Sequence, residues 1–262
     1  MERFIQKESD KFSDSTVFEG MPSISAVIKA SRSGKSNRKI DKILIDKSKI
    51  KQKQKEIGFL KAVSQELDFS VEYVDCEKID NLTVGNSHGG IIAICSDRSF
   101  ETLSNDNIED NGIYFMLEGI EDPYNFGNSL RSVYAMGATG VIVGERNWLS
   151  AAGVVARASA GASELLQVLV SEPTEAIELF KKRGYKVVCA GIRDSVSIID
   201  ADLKKPILIV LGGEKRGISR AVLDKATQIV RIDYGSEFAG SLSSSASSAI
   251  FAYEVMRQNK YS

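Results

Sequence analysis

The feature that most constrains this fold is a regular alternation of short apolar runs with amphipathic stretches. Nine runs of five to seven residues are typical of β-strands: 42–46, 69–75, 90–96, 114–120, 140–144, 165–171, 186–191, 207–212 and 228–233. Helical periodicity falls between most of them, for example over 51–66, 174–182 and 242–257. Strands that alternate with helices form βαβ units, so the pattern predicts an α/β fold with a mainly parallel sheet.

A polar stretch divides this pattern in two. Residues 97–112 (DRSFETLSNDNIEDNG) are rich in Asn, Asp and Ser and lack an apolar period. We therefore predict an N-terminal domain over 1–96, a linker over 97–112 and a C-terminal domain over 113–262. The length of 262 residues is sufficient for two ordinary domains.

Composition and residue counts exclude several classes of protein. A hydrophobic content of 43% fits a globular chain with a core. No apolar run reaches the roughly 18 residues of a membrane span, and the N-terminus has no signal core, so we expect a cytoplasmic protein without membrane contact. The single histidine, His88, makes a metal site unexpected. Cys76, Cys95 and Cys189 lack C-x-x-C spacing and are expected to be buried, reduced thiols.

Positive charge is concentrated in one stretch, although the net charge of the whole chain is only −1. Residues 29–55 contain eleven lysines and arginines and only two aspartates. Such a stretch is either a solvated surface or a face that binds nucleic-acid phosphates by releasing counterions. Charge alone favours the solvated surface.

Three clusters in the second half interrupt the strand–helix pattern, the first over 117–138. Here a strand ends, the chain turns at Asp122-Pro123, and a helix opens near Asn125, with Arg131 six residues further on. A helix N-terminus at the carboxyl end of a parallel strand can bind an anion or another ligand. The alternative is an ordinary turn, in which Asn125 caps the helix and Arg131 is a solvated charge.

The second cluster lies over 207–219, where an apolar strand runs into Gly212-Gly213-Glu214 and then Gly217. Glycines allow a ligand to approach the backbone closely. The spacing is not that of a dinucleotide-binding fingerprint, and Ile218 stands where a phosphate-binding loop requires lysine. A ligand-binding loop and a plain glycine-rich turn both remain open.

The third cluster covers 229–258. A strand ends near Asp233, and a glycine-containing loop leads to Ser241-Leu242-Ser243 and the final helix. That helix carries small Ser and Ala side chains, and helical spacing places five larger or apolar positions on one face: Leu242, Ala246, Ala249, Ile250 and Tyr253. Close packing in the core or in a subunit interface explains the helix, and it is compatible with a ligand-binding loop before it.

Together, and in this order, the three clusters resemble the signature motifs of the SpoU/TrmH family of RNA 2′-O-ribose methyltransferases, within the SPOUT superfamily. The resemblance covers 113–258 and includes the segment 158–164 (ASAGASE). The N-terminal runs FEGMPSISAVIKA and DNLTVGNSHGGIIAI resemble the substrate-binding domain of the bacterial rRNA branch. The resemblance therefore implies a C-terminal SPOUT domain with a parallel sheet and a trefoil knot, a small N-terminal α/β domain that binds RNA, and a homodimer.

The resemblance also implies roles for individual residues. It implies S-adenosylmethionine as the cofactor, with contacts from Leu211, Gly212, Gly213, Gly217, Ile232, Ser241 and Leu242. It assigns catalysis to Arg131, Asn125 and Glu214. It makes the basic stretch a plausible RNA face, for which we single out Arg32, Lys35, Arg38 and Lys39. Because arginine stays protonated at ordinary pH, we interpret Arg131 as holding a phosphate and stabilising a developing alkoxide, rather than as a base.

One position departs from the family pattern, since Ser243 stands where the family usually has asparagine. The leading hypothesis is methyl transfer to a ribose 2′-hydroxyl in 23S rRNA, with tRNA as the alternative substrate. A catalytically weak member that binds structured RNA is a function of a different class. Methylation of a base is a third hypothesis, against which the first motif argues.

Overall fold

The computed structural model describes residues 16–83, 88–144 and 151–260. The chain divides into two units, each made from two separated stretches. Unit 1 comprises Met1–Ser99 and Asn147–Leu165, and unit 2 comprises Phe100–Arg146 and Leu166–Ser262. The chain thus returns to unit 1 within the range 113–262, which the sequence predicts as one C-terminal domain.

The described residues form twelve strands, nine α-helices and two short 3₁₀ helices, Lys47–Lys49 and Asn105–Asn107. The strands are β1 (Val17–Glu19), β2 (Ile40–Asp46), β3 (Ser70–Val74), β4 (Ile91–Cys95), β5 (Glu101–Thr102), β6 (Ile113–Glu118), β7 (Gly140–Val143), β8 (Gln167–Val170), β9 (Lys186–Ala190), β10 (Val196–Ser197), β11 (Ile207–Gly212) and β12 (Gln228–Arg231). The helices are α1 (Gly20–Arg32), α2 (Gln54–Leu67), α3 (Cys76–Asp80), α4 (Pro123–Ala135), α5 (Ala152–Ala158), α6 (Ala162–Leu165), α7 (Pro173–Lys182), α8 (Arg220–Leu223) and α9 (Ser244–Lys260). All nine predicted strands are present.

Unit 1 is built on a four-stranded mixed sheet with the order β1-β4-β2-β3. β2 and β3 are parallel, whereas β4 runs antiparallel to both β1 and β2. Ile43 of β2, Ile24 of α1 and Leu60 of α2 are fully buried in one core. The unit is therefore the small α/β domain that the sequence predicts at the N-terminal end.

The second stretch of unit 1 lies against its first. α5 packs on β1 and α1, and α6 packs on α1. Gly161, between these two helices, has a φ of +85°, and a Cβ there would lie 2.3 Å from the Cβ of Ala26. Glycine is required here because the chain turns in the left-handed region while it touches α1.

A buried group of charges joins the two stretches of unit 1; we call Arg38, Arg98 and Glu164 the buried ion cluster. Arg38 Nε lies 3.0 Å from Glu164 Oε2, and Arg98 Nη1 lies 3.9 Å from the same oxygen. Arg38 Nη1 also donates to the carbonyl oxygen of Ser96 at 2.6 Å. All three charged side chains are at most 5% exposed. Charges buried to this extent are tolerated when they are paired, so the cluster fixes which chain segments meet.

Unit 2 is built on an eight-stranded sheet with the order β10-β12-β9-β11-β6-β7-β8-β5, and every pair of neighbours is parallel. The predicted α/β fold with a parallel sheet is therefore confirmed. Its central strands are buried on both faces, as β11 shows with Ile207 to Val210 fully inaccessible. Because both faces of such strands are buried, they appear in the sequence as continuous apolar runs.

The range 97–112, predicted as a linker, contributes to the sheet and core of unit 2. β5 pairs with β8 at the edge of the sheet. Leu103 and Ile108 are buried in the same core as Tyr114 and Phe180, whose ring centroids are 5.0 Å apart. Isolated apolar residues in a polar stretch show no period, so the sequence gives no sign of this packing.

The N-terminus of α4 differs from the alternative interpretation of this cluster, in which Asn125 caps the helix. The cap residue is Asp122, whose Oδ2 accepts the backbone N–H of Asn125 at 2.7 Å. Pro123 occupies the first turn, where its missing N–H costs nothing. The side chain of Asn125 is therefore available for another partner.

Two of the three cysteines are buried as predicted, and one is not. Cys95 and Cys189 are at most 1% exposed, whereas Cys76 is exposed at the start of α3. Among the described residues, no helix is long and apolar enough to cross a membrane.

Candidate active site

The three motif loops leave the same edge of the sheet of unit 2. β6 and β11 are parallel neighbours whose pairing ends at Gly212 opposite Glu118. β12 lies two strands away from β11 and is parallel to it through β9. Ligands of open parallel sheets bind outside the carboxyl ends of the strands, so this edge is the candidate site.

The glycine loop after β11 lies directly on the loop after β6. The backbone N–H of Gly213 donates to Glu118 O at 2.7 Å. A Cβ at Gly213 would lie 1.9 Å from the carbonyl oxygen of Gly119, and a Cβ at Gly212 would lie 2.4 Å from the backbone carbon of Gly217. Contacts within the protein therefore already require glycine at both positions, independently of any ligand that the loop binds.

Asn125 and Glu214 are 89 residues apart in sequence and form a direct hydrogen bond. Asn125 Nδ2 donates to Glu214 Oε1 at 2.8 Å. The same oxygen accepts the backbone N–H of Ser244, the first residue of α9, at 3.3 Å. A helix N-terminus carries partial positive charge, which suits the Glu214 carboxylate. The predicted catalytic asparagine and glutamate are therefore neighbours, and they connect α4, the glycine loop and α9.

The serines of the third motif join the same network. Ser245 Oγ lies 3.2 Å from Asn125 Oδ1, and Ser243 Oγ lies 3.0 Å from Ser245 Oγ. Ser243 Oγ also accepts the backbone N–H of Ala246 at 3.2 Å, which satisfies a free donor of the first turn of α9. The motif network, as we call it, consists of Asn125, Glu214, Ser243, Ser244 and Ser245.

Arg131 lies on α4 outside this network. Its side chain is exposed, and within the described ranges it makes no hydrogen bond or ion pair. At about 100° per residue, the six residues from Asn125 to Arg131 turn the helix by about 240° beyond one full turn, so the two side chains leave α4 in different directions. The structure therefore brings Asn125 and Glu214 together without Arg131.

The seven predicted cofactor residues lie on the two loops after β11 and β12. Leu211 is buried, while Gly212, Gly213 and Gly217 shape the first loop, which Gly217 N closes by donating to Gly213 O at 2.8 Å. On the second loop, Ile232 and Leu242 are half-buried and Ser241 is exposed. The hydrogen bond from Ser244 to Glu214 ties the end of the second loop to the first.

Sequence reasoning missed an aromatic pair in the second loop. Tyr234 and Phe238 are 40% and 56% exposed, with ring centroids 5.9 Å apart. The hydroxyl of Tyr234 accepts the backbone N–H of Leu242 at 3.2 Å and so holds the predicted cofactor residue in place. The sequence does contain a sign of this pair, because two aromatic residues are unusual in a loop composed mainly of Gly, Ser and acidic residues.

The four predicted RNA-binding residues of unit 1 fall into two groups. Lys35, Lys39 and Arg32 are exposed, and Arg32 Nε donates to Glu66 Oε1 at 2.9 Å. Arg38 is only 3% exposed and is ion-paired with Glu164, so it does not belong to an exposed basic face. Its positive charge is already compensated inside the unit, which the sequence could not reveal.

His88 has a local structural role. Its Nδ1 accepts the backbone N–H of Gly90 at 3.0 Å, and its Nε2 lies 3.0 Å from Asp80 Oδ1. Across the residues that the structure describes, no group of three or more His, Cys, Asp or Glu side chains could hold a metal ion.

Comparisons with known sequences find the same family that the three motifs resemble. The profile of the SpoU rRNA Methylase family matches residues 112–253, and the profile for RNA 2′-O ribose methyltransferase substrate binding matches residues 23–101. A protein of Staphylococcus saprophyticus assigned to the TrmH family of tRNA/rRNA methyltransferases is 31% identical over 86% of this chain and 91% of its own length. YacO of Bacillus subtilis, with the same assignment, is 26% identical over 86% of this chain and 90% of its own length.

Comparisons with solved structures show the same fold. A crystal structure described as an RNA 2′-O ribose methyltransferase has a TM-score of 0.75 and 23% identity, covering 92% of this chain and 88% of that one. The AdoMet-bound rRNA methyltransferase of Sinorhizobium meliloti has a TM-score of 0.73 and 21% identity, covering 92% and 86%. With the family profile matched over more than half of its length, this chain belongs to the SpoU/TrmH family of RNA methyltransferases.

Proposed function

We propose that the protein transfers a methyl group from S-adenosylmethionine to a ribose 2′-hydroxyl of RNA, in 23S rRNA or, as the alternative, in tRNA. The observation that carries this proposal is the motif network, in which three distant segments meet at the carboxyl ends of parallel strands. Family membership supports the reaction, and the substrate-binding profile over 23–101 supports RNA as the substrate. The AdoMet-bound neighbour supports the cofactor.

The residues of the two loops fit this cofactor. An adenosine that carries methionine is recognised by backbone N–H and C=O groups and by apolar side chains. Gly212 and Gly213 offer backbone without side chains, and Ile232 and Leu242 offer half-buried apolar side chains. When bound, S-adenosylmethionine supplies an electrophilic methyl group on a sulfonium leaving group. The other predicted contacts, from Leu211, Gly217 and Ser241, lie on the same loops.

The remaining task of the protein is to position and activate a weak nucleophile. Arginine side chains are cationic at ordinary pH, so the exposed guanidinium of Arg131 would hold an RNA phosphate and stabilise negative charge on the attacking 2′-oxygen. Glu214 already accepts two hydrogen bonds, and it would act by orienting Asn125. Asn125 would in turn align the nucleotide.

The proposal includes the RNA face, the knot and the homodimer. Lys35, Lys39 and Arg32 would bind RNA phosphates, whereas Arg38 is excluded by its burial. α4 and α9 pack against each other and expose Tyr124, Ile250 and Tyr253. Exposed aromatic and aliphatic side chains on two packed helices suit a subunit interface. The trefoil knot and assembly through the C-terminal domain follow from the family resemblance.

The variant Arg131→Ala tests the enzyme directly. We expect methyl transfer to unmodified rRNA to fall by about 100-fold or more, because one charge that stabilises the developing alkoxide is lost. Calorimetric titration with S-adenosylmethionine should give the wild-type affinity. The matched control is Arg257→Ala. Arg257 is an exposed arginine near the C-terminal end of α9, away from the motif network at its N-terminus, and it pairs with Glu254. Equal turnover in Arg131→Ala would remove this residue from the mechanism.

A catalytically weak, RNA-binding member of the family is the second candidate, and Ser243 is the observation that favours it. Serine occupies the position where asparagine is usual, and its hydroxyl already caps α9. RNA binding without methyl transfer to rRNA or tRNA, whether or not the cofactor binds, would replace the enzyme by this alternative.

A further inference from the structure

We propose that Ser245 is a positioning residue, which fixes the orientation of the Asn125 amide. The effect of Ser245 on turnover rests on the proposed methyl transfer, whereas its effect on Asn125 does not.

The amide of Asn125 can face its surroundings in only one of two orientations. Its Nδ2 lies 2.8 Å from Glu214 Oε1, and a carboxylate can only accept hydrogen bonds. The opposite orientation would place the amide oxygen against a carboxylate oxygen, with two acceptors facing each other. Glu214 therefore directs the amide oxygen Oδ1 towards Ser245, whose Oγ lies 3.2 Å away.

The protons of the two serines follow from this orientation. Asn125 Oδ1 only accepts, so the single hydroxyl proton of Ser245 is donated to it. Ser243 must then donate its own proton across the 3.0 Å between the two Oγ atoms, while its oxygen accepts the N–H of Ala246. Ser243 thus donates to Ser245, Ser245 donates to Asn125, and Asn125 donates to Glu214. In such a chain, with every donor on the same side, each hydrogen bond polarises and strengthens the next.

The two serines have separate tasks in this arrangement. Ser243 is used at the helix end, and Ser245, two residues later and half-buried, reaches Asn125. With one N–H and one lone pair committed, Asn125 keeps a second N–H and a second lone pair for the RNA substrate. A fixed amide presents these groups without reorganisation, which lowers the barrier to transfer.

The first test compares Ser245→Ala with Ser247→Ala. Both remove one hydroxyl from a half-buried serine of α9, but the hydroxyl of Ser247 lies outside the motif network. We expect kcat to fall about tenfold in Ser245→Ala, with the KM values for cofactor and RNA unchanged. Ser247→Ala should match the wild type, and Ser245→Thr, which keeps the hydroxyl, should retain most of the turnover. An unchanged kcat in Ser245→Ala overturns the proposal.

A double variant separates positioning through Asn125 from a general effect on α9. If Ser245 acts through Asn125, adding Ser245→Ala to Asn125→Ala should cause no further loss of kcat, because the partner is already missing. The same tenfold loss on both backgrounds would show that Ser245 acts elsewhere, and it would overturn the proposal.

A spectroscopic test is independent of turnover. The side-chain amide signals of Asn125 can be identified in a proton–nitrogen correlation spectrum by their loss in Asn125→Ala. Ser245→Ala should shift or broaden them, and Ser247→Ala should leave them in place. If the wild type transfers no methyl group to rRNA or tRNA, the proposed function fails, but these signals still decide the inference. Unchanged Asn125 signals in Ser245→Ala would refute it.

Discussion

The buried ion cluster of unit 1 and the motif network of unit 2 both join distant stretches of chain, but with different chemistry. In unit 1, the side chains of Arg38 and Glu164 are 4% and 3% exposed and form an ion pair. Burial lowers the pKa of the third member, Arg98, and the carboxylate of Glu164 opposes that shift. In unit 2, Asn125 and Ser245 are neutral and half-buried, and the single charge, on Glu214, is exposed.

This difference in burial and charge indicates that the buried ion cluster stabilises the fold, whereas the motif network is suited to binding a ligand. In the buried ion cluster, the carboxylate of Glu164 is shared by two arginines, and removing it would leave buried guanidinium groups without this counter-charge. The motif network keeps unused hydrogen-bonding groups and remains accessible. A substitution in the first should therefore reduce stability, and a substitution near the second should reduce binding or turnover.

The largest effect on stability is expected for Glu164→Ala. Two buried guanidinium groups would lose their common carboxylate, and the free energy of unfolding should fall by about 3–5 kcal/mol, measured by urea denaturation. The control is Glu66→Ala, which breaks the exposed pair with Arg32 and should leave the urea midpoint unchanged. Similar midpoints for the two variants would contradict the structural role of the buried ion cluster.

Cysteine labelling can show in which unit the loss occurs. Burial raises the pKa of Cys95 in β4 and of Cys189 in β9 to about 12. At pH 8 both thiols are protonated and unreactive, so alkylation requires opening of the unit that contains them. In Glu164→Ala, Cys95 should become labelled at lower urea concentration than in the wild type, while Cys189 should not change. An equal shift for both would mean that the cluster stabilises the two units together.

The next largest effect is expected for Gly213→Ala, at the edge of the motif network. Its Cβ would lie 1.9 Å from the carbonyl oxygen of Gly119, so the two motif loops must separate. We expect the affinity for S-adenosylmethionine, measured by calorimetry, to fall at least about tenfold, equivalent to about 1.4 kcal/mol. Gly235→Ala is the control, because a Cβ there meets no atom within 4 Å. Wild-type affinity in Gly213→Ala would separate this loop from the cofactor.

The sequence predicted one side of the comparison much better than the other. The association of Asn125 with Glu214 followed from the family motifs, although 89 residues separate them. Glu164 lies within the segment 158–164, but nothing in the sequence marked Arg38, 126 residues away, as its partner, because the burial of both depends on the packing of α5 and α6 against the rest of unit 1. Long apolar strands were predicted from their runs, whereas β1, β5 and β10 have two or three residues and no detectable period.

A smaller effect is expected from the exposed basic residues of unit 1. Lys35→Glu with Lys39→Glu should weaken RNA binding and reduce the slope of log affinity against log salt by roughly 2, since two phosphate contacts are lost. The control is Lys204→Glu with Lys205→Glu, two exposed lysines of unit 2. An unchanged salt dependence in the first variant would make this face a solvated surface.

The smallest effect concerns a polar group that differs from both the buried ion cluster and the motif network, because it has no charged partner and cannot reach a ligand. Ser129 of α4 is fully buried, and among the described residues its Oγ has no hydrogen-bond partner. An unpaired buried hydroxyl is destabilising, so Ser129→Ala should raise the free energy of unfolding by up to about 1 kcal/mol. Ser132→Ala is the control on the same helix, since Ser132 Oγ donates to Asn128 O at 3.0 Å, and it should bring no gain. Destabilisation by Ser129→Ala would show that this hydroxyl has a hydrogen-bond partner in solution.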